Sequence, residues 1–69
     1  MAEHRLGNRI KDARTALDMT QTELAARIRV SRKTINTIEN GIFTPSTILA
    51  LLISSALGKT VEQLFFLDD

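Results

Sequence analysis

Only Arg29 and Val30 stand between Ile28, which closes one run of helically spaced apolar residues, and Ser31, which has the chemistry to open another. Upstream, "TQTE" places Glu23 three residues after Thr20, the spacing of a capping box in which each side chain satisfies a free backbone donor of the first turn. This predicts a helix over about 21–28 with Leu24, Ala25 and Ile28 facing inward. Ser31 is the N-cap of the next helix, which runs to about Asn40 and stops at Gly41. Two helices joined by so short a turn must cross steeply, and the crossing must bury Leu24, Ala25, Ile28, Val30, Ile35 and Ile38. Ala25 fits that demand, because a larger side chain near the turn would hold the helices apart.

The rest of the chain follows the same period. Leu6, Ile10, Ala13 and Leu17 step by four, three and four and outline one face of a first helix. Thr44 followed by Pro45 reads as an N-cap with proline at the first helical position, opening a fourth helix that lasts to Leu57 before Gly58. "TVEQ" repeats the capping-box pattern at Thr60 and Gln63 and starts a short fifth helix through about Phe65. The expected fold is all-α, five helices in one domain spanning residues 1–69, since a chain of 69 residues has no room for a second core.

Composition removes several classes of function. There is no cysteine and a single histidine, His4, near the terminus, so a disulfide framework, a metal centre and a cofactor are not expected. No serine has a neighbouring His and acid to activate it, and the chain is not read as an enzyme. No apolar run approaches the roughly 20 residues of a membrane span, and the charged "MAEHRLGNRI" lacks the apolar core of a signal peptide. A soluble, cytoplasmic protein is expected.

The net charge of +1 conceals a division: residues 1–33 carry eight Lys/Arg against four acids, and residues 34–69 one against four. A basic half of this kind is an electrostatic footprint suited to nucleic acid. If the apolar residues of the third helix face inward, Arg32, Lys33, Asn36 and Thr37 face outward on its first turns, together with free N–H groups and the positive pole of the helix dipole. A helix lying in the major groove presents that end to base edges. The alternative is an ordinary solvated helix start. Gln21 opens the second helix, a position suited to anchoring an anion such as the sugar-phosphate backbone.

The segments "MTQTELAARI", "VSRKTINTIENG", "TPS" and "ALGKTVEQLF" resemble the lambda-repressor-like (Cro/XRE type) helix-turn-helix regulators over about residues 9–65, with the helix-turn-helix at about 20–40. The resemblance implies binding to double-stranded DNA as a transcriptional regulator. It implies base contacts from Arg32, Lys33, Thr37 and Asn36, and phosphate contacts from Gln21, Thr34, Asn40, Lys11 and Arg27. It further implies that Arg14 and Glu39 form a structural ion pair, since an unpaired carboxylate beside the groove would repel phosphate. Asn40 can equally serve the helix end alone. The family usually has glycine in the turn where this chain has Arg29, so Arg29 is expected to take a left-handed backbone.

"PSTILALLISSAL" is apolar nearly all round. Ala50, Ile53 and Leu57 can cover the domain's own core, which leaves Ile48, Leu49, Leu52 and Ala56 as a second strip, where family members commonly place polar residues at positions 48 and 52. The tail adds Leu64, Phe65, Phe66 and Leu67. These residues predict a C-terminal dimerisation region over about 46–69, with Ile48, Leu49, Leu52, Phe65, Phe66 and Leu67 at the interface of a homodimeric repressor reading a pseudo-palindromic operator. The same surface would suit a competing reading, an antitoxin-like module that binds a partner protein and regulates its own operon.

Overall fold

The computed structural model describes residues 4–68; residues 1–3 and Asp69, the extremes of the expected domain and dimerisation region, lie outside it. Five helices follow a first strand and precede a second: β1 (Arg5–Asn8), α1 (Ile10–Ala16), α2 (Gln21–Ile28), α3 (Arg32–Glu39), α4 (Thr47–Leu57), α5 (Val61–Leu64) and β2 (Phe65–Asp68). Among the described residues the domain is all-helical apart from this strand pair, which joins the segment before α1 to the one after α5.

The strands are antiparallel and in register Arg5↔Asp68, Leu6↔Leu67, Gly7↔Phe66 and Asn8↔Phe65. Leu6 therefore belongs to β1, although its spacing from Ile10 fits a helix. α1 starts only at Ile10, and Leu17, expected on its inner face, lies just past its end and is exposed. The buried positions of α1 are Ile10 and Arg14. At the other terminus α5 ends at Leu64 and the chain straightens at Phe65. Within the ribbon Gly7 leaves room for the Phe66 ring, which a Cβ at that position would overlap. That ring is covered in turn by the Arg9 guanidinium, 4.2 Å from its centroid.

Helix starts follow the local chemistry. The Thr20 and Thr60 capping boxes both form, with Glu23 and Gln63 returning the backbone bond. Ser31 caps α3. In "TPS" the cap is Ser46, whose Oγ accepts from the Leu49 N–H at 3.1 Å, so Pro45 precedes α4 instead of opening it.

Helix ends share one device. At α1, α2, α3 and α4 the chain turns through a left-handed residue, Asp18, Arg29, Gly41 and Gly58 respectively, with φ between 53° and 74°. The next N–H reaches back to a carbonyl of the last turn: Met19 to Arg14, Val30 to Ala25, Ile42 to Thr37 and Lys59 to Ser54. This is the Schellman closure, which satisfies the carbonyls a helix end leaves free. Arg29, at φ 59° and ψ 46°, holds the left-handed conformation that its place in the turn demands.

The core is Ile10, Met19, Leu24, Ala25, Ile28, Ile35, Ile38, Ile53, Leu57, Leu64 and Phe65. Leu49, Ala50 and Ala56 pack partly against it. Two of the expected interface residues are thereby relocated: Phe65, 8% exposed, is core, and Leu49 is largely occupied by its own domain. Ile48, Leu51, Leu52 and Leu67 remain exposed, with Phe66 half-buried against Gly7 and Arg9.

Candidate nucleic-acid interface

The front of α3 is set by what lies behind it. Ile35 and Ile38 are buried, which fixes the rotation of the helix and turns Arg32 and Lys33 to solvent. Its first turn is closed by Ser31, whose Oγ accepts from the Thr34 N–H at 3.1 Å and pairs with the Thr34 hydroxyl at 2.9 Å.

Beneath this surface runs a chain of polar contacts linking α1, α2 and α3. Arg14 grips Glu39 with two bonds, Nε to Oε2 at 2.9 Å and Nη2 to Oε1 at 3.1 Å. Its remaining Nη1 donates to the Met19 carbonyl at 2.8 Å. Both side chains are nearly dry, at 9% and 5% exposure, so each charge depends on the other. Gln21 then donates its Nε2 to Glu39 Oε1 at 3.1 Å. A carboxylate only accepts, which fixes the orientation of the Gln21 amide and turns its Oε1 outward, where it accepts from Arg32 Nη1 at 3.0 Å. Arg32, at the lip of α3, is thus held by a relay that begins at buried Arg14.

The remaining expected contact residues are dispersed around this relay. Thr37 donates its hydroxyl to the carbonyls of Lys33 and Thr34, both at 3.0 Å. Asn36 and Asn40 bond to each other at 3.2 Å. Lys11, in the first turn of α1, and Arg27, in the last turn of α2, are exposed and stand outside the relay. Arg27 lies near Glu23, whose carboxyl is held below its ordinary range first by the Thr20 backbone N–H, then by the Thr20 hydroxyl, with the Arg27 charge contributing least.

Two features escaped the sequence. Asn8 bridges β1 to the back of α3, donating Nδ2 to the Ile38 carbonyl at 3.0 Å while its Oδ1 accepts the Ile10 N–H at 3.2 Å. Its place two residues before α1 was the available signal, masked by the helical spacing of Leu6 and Ile10. Ile42 and Phe43, in the loop after α3, are exposed side chains that the periodic reading assigned to no face.

The packed pair α2 and α3, with Arg32 and Lys33 exposed at the front of α3, belongs to a chain with recognisable relatives. A helix-turn-helix family model matches residues 10–64. An uncharacterised HTH-type transcriptional regulator of Methanothermobacter thermautotrophicus is 46% identical over 61 residues, covering 87% of this chain and 88% of its own. One from Bacillus subtilis is 34% identical over 62 residues, covering 90% and 94%. A crystal structure of a protein from Bacteroides fragilis, proposed there to bind DNA, superposes with a TM-score of 0.80 at 24% identity, over 88% of this chain and 98% of the other, a likeness of fold. The chain belongs to the Cro/C1-type helix-turn-helix family of DNA-binding transcriptional regulators.

Proposed function

We propose that this regulator is a homodimeric repressor that reads a pseudo-palindromic operator by laying the front of α3 in successive major grooves. The observation that carries the reading is the neutralisation of Glu39 by Arg14, joined through Gln21 to exposed Arg32 at the other end of α3, which leaves the cationic helix front of Arg32 and Lys33 without an unpaired carboxylate on its own helix. Arg32 and Lys33 donate to guanine N7 and O6 or to other acceptors at the base edges, and Thr37 and Asn36 complete the readout. Lys11, Arg27, Thr34 and Asn40 flank it toward the phosphates, and Gln21 steadies Arg32 beside them.

Dimerisation uses the apolar side chains that the domain leaves uncovered on α4 and the tail, Ile48, Leu51, Leu52 and Leu67, at 73%, 55%, 43% and 67% exposure. Two copies joined there place their α3 helices about 34 Å apart, one turn of DNA. With DNA as its target the protein acts in the cytoplasm, where occupancy of the operator excludes polymerase. No helix among the described residues is long and apolar enough to cross a membrane.

Sedimentation and salt titration together test this. The native chain should sediment as a dimer at tens of micromolar and Leu52→Asp as a monomer. Log affinity should fall steeply with log salt, by about 0.9 for each phosphate neutralised, and Lys11→Gln should reduce that slope. A monomeric native chain removes the dimer. The uncovered α4 strip also favours a second reading, the antitoxin-like module, which a stoichiometric partner retained through purification would support.

A further inference from the structure

We propose that the hollow between the first turns of α3 and the loop after it recognises the major-groove edge of a thymine, with Ile42 and Phe43 receiving the 5-methyl group. The inference rests on the reading of α3 as the groove-entering helix and extends it to two residues outside that helix.

The loop is built to stay beside α3. Gly41, at φ +74°, turns the chain back, and the N–H groups of Ile42 and Phe43 both donate to the Thr37 carbonyl, at 2.9 and 3.2 Å. Two large apolar side chains are thereby fixed at the protein surface, Ile42 77% and Phe43 49% exposed. Such exposure does nothing for the domain's own core. With Ser31, Lys33, Thr34 and Thr37 they line a hollow of about 360 Å³.

The chemistry of that lining is selective. The Thr37 hydroxyl gives its proton to the carbonyls of Lys33 and Thr34, and the hydroxyls of Thr34 and Ser31 are bonded to each other. One proton of the Ser31–Thr34 pair and the hydroxyl lone pairs stay available, and the two strongest features left for an incoming group are the Lys33 ammonium and an apolar wall. In the major groove a thymine shows the O4 acceptor next to the C5 methyl, which matches both. A cytosine has no methyl to set against the wall, and a guanine shows acceptors but likewise leaves the apolar wall uncovered. A protein partner seated on the same wall would have to desolvate Lys33 as well.

The test uses the duplex that the native protein selects from a random pool, with each thymine of one half-site replaced in turn by deoxyuridine. Affinity is read by anisotropy of the labelled duplex at fixed salt. One replacement should weaken binding roughly fourfold, the weight of one methyl removed from an apolar contact. The same replacement should cost less for Ile42→Ala, which leaves Phe43 alone against the methyl, and the melting of that variant should match the native chain. Deoxyuridine tolerated at every position, or an equal loss with Ile42→Ala, overturns the inference while leaving α3 as the reading helix. If no duplex is selected at all, the groove-binding reading fails and this inference with it. If Ile42→Ala changes the sedimentation of the protein and not its discrimination, the pair is a protein contact and the inference is wrong.

Discussion

Removing Arg14 should cost this small domain a large share of its stability. Arg14→Ala strips two hydrogen bonds from a Glu39 side chain that is 5% exposed and leaves the Met19 carbonyl without its Arg14 donor at 2.8 Å. Gln21 then faces the carboxylate alone, and a neutral amide is a poor substitute for a guanidinium. Breaking a buried pair from one side costs about 3–5 kcal/mol, because the surviving charge stays buried without its partner. A chain of 69 residues has about 3–10 kcal/mol in total, so the loss is at least about a third of it. At about 4–8 °C per kcal/mol for a domain of this size, melting followed by circular dichroism at fixed protein concentration should fall by about 12 °C or more. DNA affinity should fall as well, since Gln21 and Arg32 lose the group that aligns them. Arg14→Met combined with Glu39→Leu should recover much of the stability without the affinity, because an apolar pair needs no counter-charge. Arg14→Ala melting within a few degrees of the native chain, with unchanged affinity, would refute the relay.

Arg29→Gly should be neutral or up to about 1 kcal/mol stabilising in urea denaturation, because the left-handed turn at φ 59° disfavours any side chain with a Cβ; clear destabilisation would count against the Schellman closure of α2. Gly7→Ala should destabilise by about 1–3 kcal/mol by forcing the Phe66 ring out from under Arg9. Combining it with Phe66→Ala should cost less than the two changes added, and strict additivity would separate the two residues. The Glu23 carboxyl should titrate below the ordinary carboxylate range in an NMR pH series and move back toward it in Thr20→Ala. A depressed carboxyl pKa means that the stability contributed by the capping box is present above the ordinary range and disappears as pH falls through the lowered value. The stability gap between native and Thr20→Ala should therefore narrow in acid, and a gap that widens would contradict the assignment.

The helix-turn-helix could be read from the sequence because its determinants are local. Thr20 with Glu23, and Ser31 with Thr34, act within one turn, and the spacing of Leu24, Ile28, Ile35 and Ile38 encodes which faces meet. The spacing of Thr44 and Pro45 points to the wrong cap for α4, because Ser46 lies within the same turn and it is the Ser46 Oγ that accepts the Leu49 N–H. The terminal ribbon was not legible, because β1 and β2 are four residues each and their pairing joins opposite ends of the chain. Four residues are too few for a periodic signal, and Leu6 coincidentally continues the helical spacing of Ile10. That same ribbon took Phe65 into the core and away from the expected dimer face. Arg14 shows a different limit. Periodicity reads a charged residue as solvent-facing, whereas the burial of Arg14 depends on a carboxylate 25 residues away. Resemblance to the family named the pair, but the extension through Gln21 to Arg32 follows only from the three-dimensional placement of the amide.

Whether the front of α3 reads base edges is decided by parallel selection of duplexes from one random pool by the native protein and by Arg32→Ala. The native chain should enrich a pseudo-palindrome with half-sites about 10 base pairs apart. Arg32→Ala should enrich the same site with the preference lost at one base pair of each half-site, a discrimination of about 1–3 kcal/mol. Identical preferences from the two proteins, or no enrichment by the native chain, would mean that Arg32 at the front of α3 reads no base.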